Sequence, residues 1–292
     1  MTVAAGAKIP FSVVIPAFNE EAGIVLTLRE LREVLAGLDY EIVVVDDGSQ
    51  DRTAELALSE GVTVIQQPMN RGYGASLKTG IRRAKHDVIV ITDADGTYPA
   101  SAIPALVAGC EVFEMVVGAR VGANVAIPLV RRPAKWVLGK LASYLAGRPI
   151  PDLNSGLRAM RRELVQRYEH LLPSGFSFTT TITLSALCRD HLVRFDPIDY
   201  RAREGQSKIR ARHAFDFLLL ILRTTVYFNP LKIFLPLSGL FFALGTAKFI
   251  YDLTLENLSE SAIFAWLTSV LLLAVGMLSD QLSRIASRSS AP

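Results

Sequence analysis

Two carboxylates one residue apart, Asp93 and Asp95 in Ile91-Thr92-Asp93-Ala94-Asp95-Gly96, are the residues best suited to chemistry. In a turn after a strand they can face one hard cation. Magnesium or manganese held there can bridge a diphosphate and take up the charge of a leaving group. A solvated acidic turn has the same sequence, so the pair alone does not decide. A second acidic pair, Asp46-Asp47, ends another apolar run and is followed by Gly48-Ser49. A carboxylate at a strand end can accept hydrogen bonds from a base imide or a ribose. The Gly-Ser turn then bends the chain sharply into the next helix. Taken singly, Asp47 or Ser49 serves equally well as a helix cap. A third run, Val13-Val14-Ile15-Pro16-Ala17-Phe18-Asn19-Glu20, ends in the same way.

These residues need strands behind them. Short apolar runs predict strands at Phe11–Ile15, Glu41–Val45, Val62–Ile65, Val88–Thr92 and Met115–Gly118, with helical patterns over Glu21–Leu38, Asp51–Ser59, Gly74–Ala84 and Ser101–Cys110. That alternation implies a mainly parallel sheet covered on both faces. Ligands bind beyond the carboxyl ends of such strands, which is where the acidic pairs fall. Further on, Ala134–Ala146, Thr180–Asp190 and His213–Phe228 read as helices and Leu192–Asp196 as a short strand.

The chain of 292 residues is 50% hydrophobic, and its mean hydropathy is +0.32. That is greasier than a soluble α/β enzyme, and the apolar residues gather after Arg212. Leu231–Tyr251 is apolar apart from Lys232 and Lys248 near its ends, which can snorkel. Ala262–Ser279 carries no charge and extends about 27 Å, close to the thickness of a bilayer's hydrocarbon layer. Two buried core helices are the rival reading. The link between the spans holds Asp252, Glu256 and Glu260, whereas Arg223, Lys232, Arg284 and Arg288 flank the hairpin. The positive-inside rule therefore puts both ends in the cytosol. A formal charge of only +3 argues against a nucleic-acid binder. Cys110 and Cys188 have no Cys or His at metal-ligand spacing and read as buried reduced thiols. Met1 to Pro10 shows no apolar signal-peptide core.

VVIPAFNE, VDDGS and DADG, in this order, resemble family-2 glycosyltransferases with a GT-A (Rossmann-like) fold. Asn70-Arg71-Gly72-Tyr73-Gly74-Ala75-Ser76-Leu77-Lys78 and Asp152-Leu153-Asn154-Ser155-Gly156 are similar to the branch of dolichyl-phosphate mannose synthases and polyprenyl-phosphate glycosyltransferases. The resemblance covers roughly residues 12 to 209. It implies that Pro16, Phe18 and Glu20 line a nucleoside pocket, with Asp46 on the base or ribose and Lys78 near the nucleotide. Asp93, Ala94 and Asp95 would handle the diphosphate and a Mg²⁺ or Mn²⁺ ion. Arg120 would face the phosphates. Ser207 and Lys208 would belong to a loop closing over donor and acceptor phosphates, an assignment that Arg201 and Arg203 share for the loop's arginine. Arg131 matches an arginine for the acceptor phosphate. Some relatives place a metal-binding glutamine where this chain has Thr97.

The expected organisation is a cytosolic catalytic domain over 1–210, a juxtamembrane amphipathic helix over 211–229, and a two-span anchor with a short tail over 230–292. Arg131, Arg132, Lys135 and Lys140 surround Trp136, which suits a helix lying among headgroups, although a solvated basic face fits too. Donor and acceptor would be a nucleotide-sugar and a membrane-embedded polyprenyl phosphate. An acceptor phosphate is already anionic, so an inverting displacement needs no strong base. Asp152 is the best base candidate if one is needed, and it serves equally to orient the acceptor. The rivals are a glycosyltransferase with another acceptor and a silent nucleotide-sugar-binding scaffold. No QxxRW pattern for a processive synthase is present. UDP against GDP, the sugar and self-association all stay open, as does a bacterial or archaeal plasma membrane against the endoplasmic reticulum.

Overall fold

The computed structural model describes residues 9–120, 132–175, 177–201, 213–256 and 259–289. Strands β1 (Phe11–Ala17), β2 (Tyr40–Asp46), β3 (Thr63–Gln66) and β4 (Val88–Ile91) pair in parallel, in the order β3-β2-β1-β4. Every residue of β1 and β4 is buried, as a sheet covered on both faces requires. Beyond β4 the sheet continues through β5 (Met115–Ala119), β6 (Arg158–Arg161) and β7 (Val193–Pro197), giving the order β3-β2-β1-β4-β6-β5-β7. β6 runs antiparallel between β4 and β5, whereas β5 and β7 are parallel. The predicted sheet thus gains one reversed strand in its middle. The sequence hides β6 because Arg158-Ala159-Met160-Arg161 is four residues long with an arginine at each end.

Alternation along β1 sends Val13 and Ile15 to one face and Val14 to the other. Helices α1 (Ile24–Leu35), α2 (Thr53–Ser59) and α4 (Ile103–Gly109) cover the first face. α3 (Tyr73–Arg83), α6 (Arg162–Tyr168) and α7 (Phe178–Cys188) cover the second. α3 lies so close to the sheet that a Cβ on Gly80 would stand 2.4 Å from Val14 Cγ1 and 3.0 Å from Val45 Cγ2. Gly80→Ala should therefore cost about 1–3 kcal/mol through overpacking, which denaturant unfolding of the detergent-solubilised protein would measure. An unchanged midpoint would mean that α3 shifts freely.

α5 (Arg132–Ala146) and α8 (His213–Phe228) pack with α7 around Ala142, Leu145, Leu184, Leu187 and Ile221. α8 leads into α9 (Leu231–Thr254) and α10 (Glu260–Ser289). The segments Leu231–Thr254 and Glu260–Ile285 have mean hydropathies of 1.7 and 2.1. At 24 residues α9 is about 36 Å long, enough to cross a bilayer's hydrocarbon layer. Leu240, Phe242, Leu271 and Leu278 are each more than half exposed, which buried core helices would not show. The two helices meet through small residues: Gly245 sits against Trp266, Gly276 against Phe234, and Ser238 Oγ donates to the Ser269 carbonyl at 2.9 Å. Lys232 does not snorkel freely, since its Nζ donates to the Leu145 carbonyl at the end of α5 at 2.8 Å. Lys248 pairs with Asp252, whose other oxygen accepts the Ser259 N–H at 3.1 Å and so closes the turn between the spans. α10 outlasts the predicted span, and its Ser283 Oγ donates to the Tyr227 carbonyl of α8 at 2.6 Å.

Candidate active site

The parallel register sets Ala17 opposite Asp46 and Val14 opposite Ile91, so the residues after β1, β2 and β4 emerge along one edge. Pro16, Phe18, Glu20, Asp46, Asp93, Ala94 and Asp95 all lie there. Asn19 takes a left-handed backbone (φ 54°). Its N–H donates to Ser49 Oγ at 2.9 Å, and its Oδ1 accepts the Gln50 N–H at 2.8 Å. Ser49 therefore ties two loops together and is not a helix cap. Glu20 anchors α1, since its carbonyl accepts the N–H groups of Gly23 and Ile24.

The acidic pair after β2 splits into two roles. Asp47 Oδ1 accepts the Arg71 N–H and Oδ2 the Gly72 N–H, each at 2.9 Å. Asp47 thus holds the corner before α3, where Gly72 has φ 97°. The Asp46 carboxylate accepts the Ser49 N–H at 3.3 Å, its one side-chain hydrogen bond among the described residues, and is the member of the pair with capacity for a base or ribose.

After β4, Tyr73 Oη donates to Asp93 Oδ1 at 3.2 Å. Thr97 donates to Asp95 Oδ1 through its hydroxyl at 2.7 Å and its N–H at 3.2 Å. A Cβ on Gly156 would stand 3.0 Å from both oxygens of Asp93, so a larger residue here would press on that carboxylate. The Gly156 N–H donates to Tyr98 Oη at 2.7 Å. Burial, and then the charge of Asp93, push both phenols above their ordinary pKa and keep them protonated. The Ala94 carbonyl accepts the Thr27 hydroxyl at 3.0 Å, and Gly23 lets α1 approach it.

Arg120 follows β5. Its Nε and Nη2 donate to Asp152 Oδ2 and Oδ1 at 2.7 and 3.0 Å, and its own N–H donates to Oδ2 at 3.1 Å. The Asn154 N–H takes a further place on Oδ1, at 3.2 Å. The Arg120 guanidinium also lies 5.3 Å from the centre of the Tyr200 ring. Burial raises the Asp152 carboxyl, but Arg120's hydrogen bonds and charge outweigh it and hold the group below the ordinary aspartate range. An anion with four donors on it is a poor base, so Asp152 acts by orienting Arg120.

The sequence profile for glycosyl transferase family 2 matches residues 12–169, more than half of the chain. The chain belongs to glycosyl transferase family 2. A second profile, the GtrB C-terminal hairpin, matches residues 229–285. Among curated relatives, a dolichyl-phosphate hexose transferase of Haloferax volcanii is 33% identical over 201 residues, 68% of this chain and 86% of the relative. A dolichol-phosphate mannosyltransferase of Pyrococcus furiosus is 32% identical over 223 residues, 73% of this chain and 62% of the relative. Glucosyl-3-phosphoglycerate synthase of Mycobacterium tuberculosis, solved with Mn²⁺, UDP and phosphoglyceric acid, superposes with a TM-score of 0.62. It is 22% identical, covering 74% of this chain and 78% of that one, and so shares the fold.

For a family-2 glycosyltransferase the donor set here suits a hard cation. Asp93 and Asp95 offer carboxylate oxygens, and no group of three or more His, Cys, Asp or Glu side chains converges among the described residues. Two carboxylates completed by phosphate oxygens and water is how Mg²⁺ is commonly held. Other predicted residues are held by protein partners. Lys78, expected near the nucleotide, donates to the Leu172 carbonyl at 3.0 Å and so braces the segment that lies against Gly72 and Gly74. Arg201 makes a two-pronged pair with Glu30 at 2.7 and 3.0 Å, and its N–H donates to the Thr97 carbonyl at 3.0 Å. Arg131, Arg203, Ser207 and Lys208 lie outside the described residues.

Sequence reasoning missed Tyr73 and Thr97, and also Arg158. Arg158 is fully buried, and it donates to the Thr179 carbonyl at 3.1 Å, the Thr183 hydroxyl at 2.9 Å and the Ser155 carbonyl. It ties the Asp152–Gly156 loop to α7. Burial lowers its pKa, yet an arginine stays charged at neutral pH, so a cation lies beneath the site. The only signal in the sequence was its position just after the DLNSG motif.

Proposed function

We propose that this enzyme transfers a sugar from a UDP- or GDP-sugar to a polyprenyl phosphate, with inversion, at the cytosolic face of a membrane. The observation that carries the reading is the joining of two parts in one chain. An edge bearing Asp46, Asp93, Asp95 and Arg120 stands on a domain whose α8 runs directly into two apolar helices. The names of the Haloferax and Pyrococcus relatives point to the same acceptor class.

In the reaction an acceptor phosphate oxygen forms a bond to the anomeric carbon as the bond to the nucleoside diphosphate breaks on the opposite side. The acceptor phosphate is largely ionised at neutral pH, so no residue need remove a proton. Asp46 holds the nucleoside beside Pro16 and Phe18. Arg120, fixed by Asp152, presents positive charge to the phosphates, and prepositioned charge is where the rate gain arises. Asp93 and Asp95 would hold Mg²⁺ or Mn²⁺, which when bound offsets charge on the leaving diphosphate. Arg131 serves the acceptor phosphate, and Ser207 and Lys208 belong to a loop over donor and acceptor phosphates whose arginine is Arg201 or Arg203. The basic flanks of the hairpin and its acidic turn support the cytosolic placement.

The test offers labelled UDP- and GDP-sugars to detergent-solubilised polyprenyl phosphate, with and without Mg²⁺ or Mn²⁺. A labelled lipid formed only with metal is the expected product. Nucleotide binding without lipid product from any donor would overturn the acceptor assignment.

A further inference from the structure

We propose that Thr97 and Tyr73 are positioning residues that fix the carboxylates of Asp95 and Asp93 in the geometry that receives the divalent cation. The inference rests on the metal reading given above and assigns two residues to it. Each carboxylate has a hydroxyl donating to its Oδ1, at 2.7 Å from Thr97 and 3.2 Å from Tyr73. A carboxylate is acceptor-only when ionised, so in both contacts the hydroxyl supplies the proton. The arrangement is symmetric in chemistry although the two donors come from different elements. Thr97 is two residues along the same turn, while Tyr73 opens α3 and reaches across from the second face of the sheet.

Space-filling does not account for Thr97. The residue is 2% exposed, and valine has the same shape, yet a hydroxyl stands there and donates to an acid. Where some relatives carry a metal-binding glutamine, Thr97 turns its hydroxyl to Asp95 Oδ1 as a donor. The Thr97 N–H adds a second donor to the same oxygen, which fixes the side-chain rotamer. On the other carboxylate, Tyr73 holds Oδ1, and the missing Cβ of Gly156 leaves both oxygens unpressed. Partners that orient ligating carboxylates typically carry 10–100-fold of metal affinity.

The experiment measures Mn²⁺ binding to the full-length protein in detergent by electron paramagnetic resonance, with UDP and with GDP present. Thermal unfolding of each variant is recorded beside it. Thr97→Val and Tyr73→Phe should each weaken Mn²⁺ binding by about tenfold or more, with metal-free nucleotide affinity unchanged. Thr97→Ser, which keeps the hydroxyl, should restore the affinity. Wild-type Mn²⁺ affinity in both Thr97→Val and Tyr73→Phe would overturn the proposal, whatever their melting points. If Thr97→Val does not fold, Tyr73→Phe decides alone. Asp95→Asn separates the two levels of inference. If it leaves Mn²⁺ binding intact, the metal reading itself falls. If it abolishes binding while the hydroxyl variants bind normally, only the positioning role falls.

Discussion

Asp95→Asn should lower sugar transfer by about two to three orders of magnitude while leaving the protein folded. Asparagine has nearly the volume of aspartate, and its amide oxygen can still accept the Thr97 hydroxyl and N–H, so the turn after β4 keeps its hydrogen bonds. What is lost is one negative charge facing the cation. The ion then binds more weakly and is less well placed to offset charge on the departing diphosphate. Two observations should accompany the loss: a melting temperature close to that of the wild type, and partial recovery as Mn²⁺ is raised. Full activity at ordinary metal concentration would show that Asp95 is a solvated turn residue.

Much of the fold was legible because the first half of the chain obeys one rule. Buried parallel strands must be continuous apolar runs, and β1, β2 and β4 are such runs, so the edge on which their ends gather is legible in the sequence. β6 broke the rule. Its Arg158 is buried because three neutral oxygens receive its protons, a compensation that depends on α7 and cannot be read from four residues. The two acidic pairs were visible as candidates, but only the resemblance, and not the spacing, set Asp46 apart from Asp47. Their difference lies in the backbone N–H groups of Arg71 and Gly72, which fold back onto Asp47 from 24 and 25 residues away.

Lys78 and Arg201 have partners that are hidden in the sequence for a related reason. A motif gives an amino acid's position along the chain, while a long cation goes where an acceptor waits. Lys78 points from α3 towards the carbonyl of Leu172, and Arg201 finds the Glu30 carboxylate on α1. Short side chains have no such freedom, so a position at a strand end fixes where an aspartate carboxylate lies more closely than it fixes a lysine ammonium. Tyr73 and Thr97 were passed over because hydroxyls mark no chemistry alone. They gain it only when the fold sets them against Asp93 and Asp95.

Asp152→Ala should cost about 3–5 kcal/mol of stability and also depress turnover, because it strands the Arg120 guanidinium in a site where it is four-fifths buried. Burial disfavours the Arg120 charge, and the bonds to Asp152 more than offset this, so the arginine stays ionised over the whole accessible pH range. The carboxylate's folded pKa lies below its unfolded value near 3.9, so the pair's contribution is fully present above about pH 4. It is lost as the pH falls through the lower, folded value. The wild type should therefore lose its stability advantage over Asp152→Ala as the medium is acidified below about pH 4. A double variant, Arg120→Met with Asp152→Ala, removes both charges and should regain much of the lost stability. It should not regain transfer, since the charge presented to the phosphates is gone. Stability and activity moving together in the double variant would mean that the pair is only a strut. Their separation, with a refolded site that no longer transfers sugar, would assign Arg120 to the phosphates and Asp152 to holding it there.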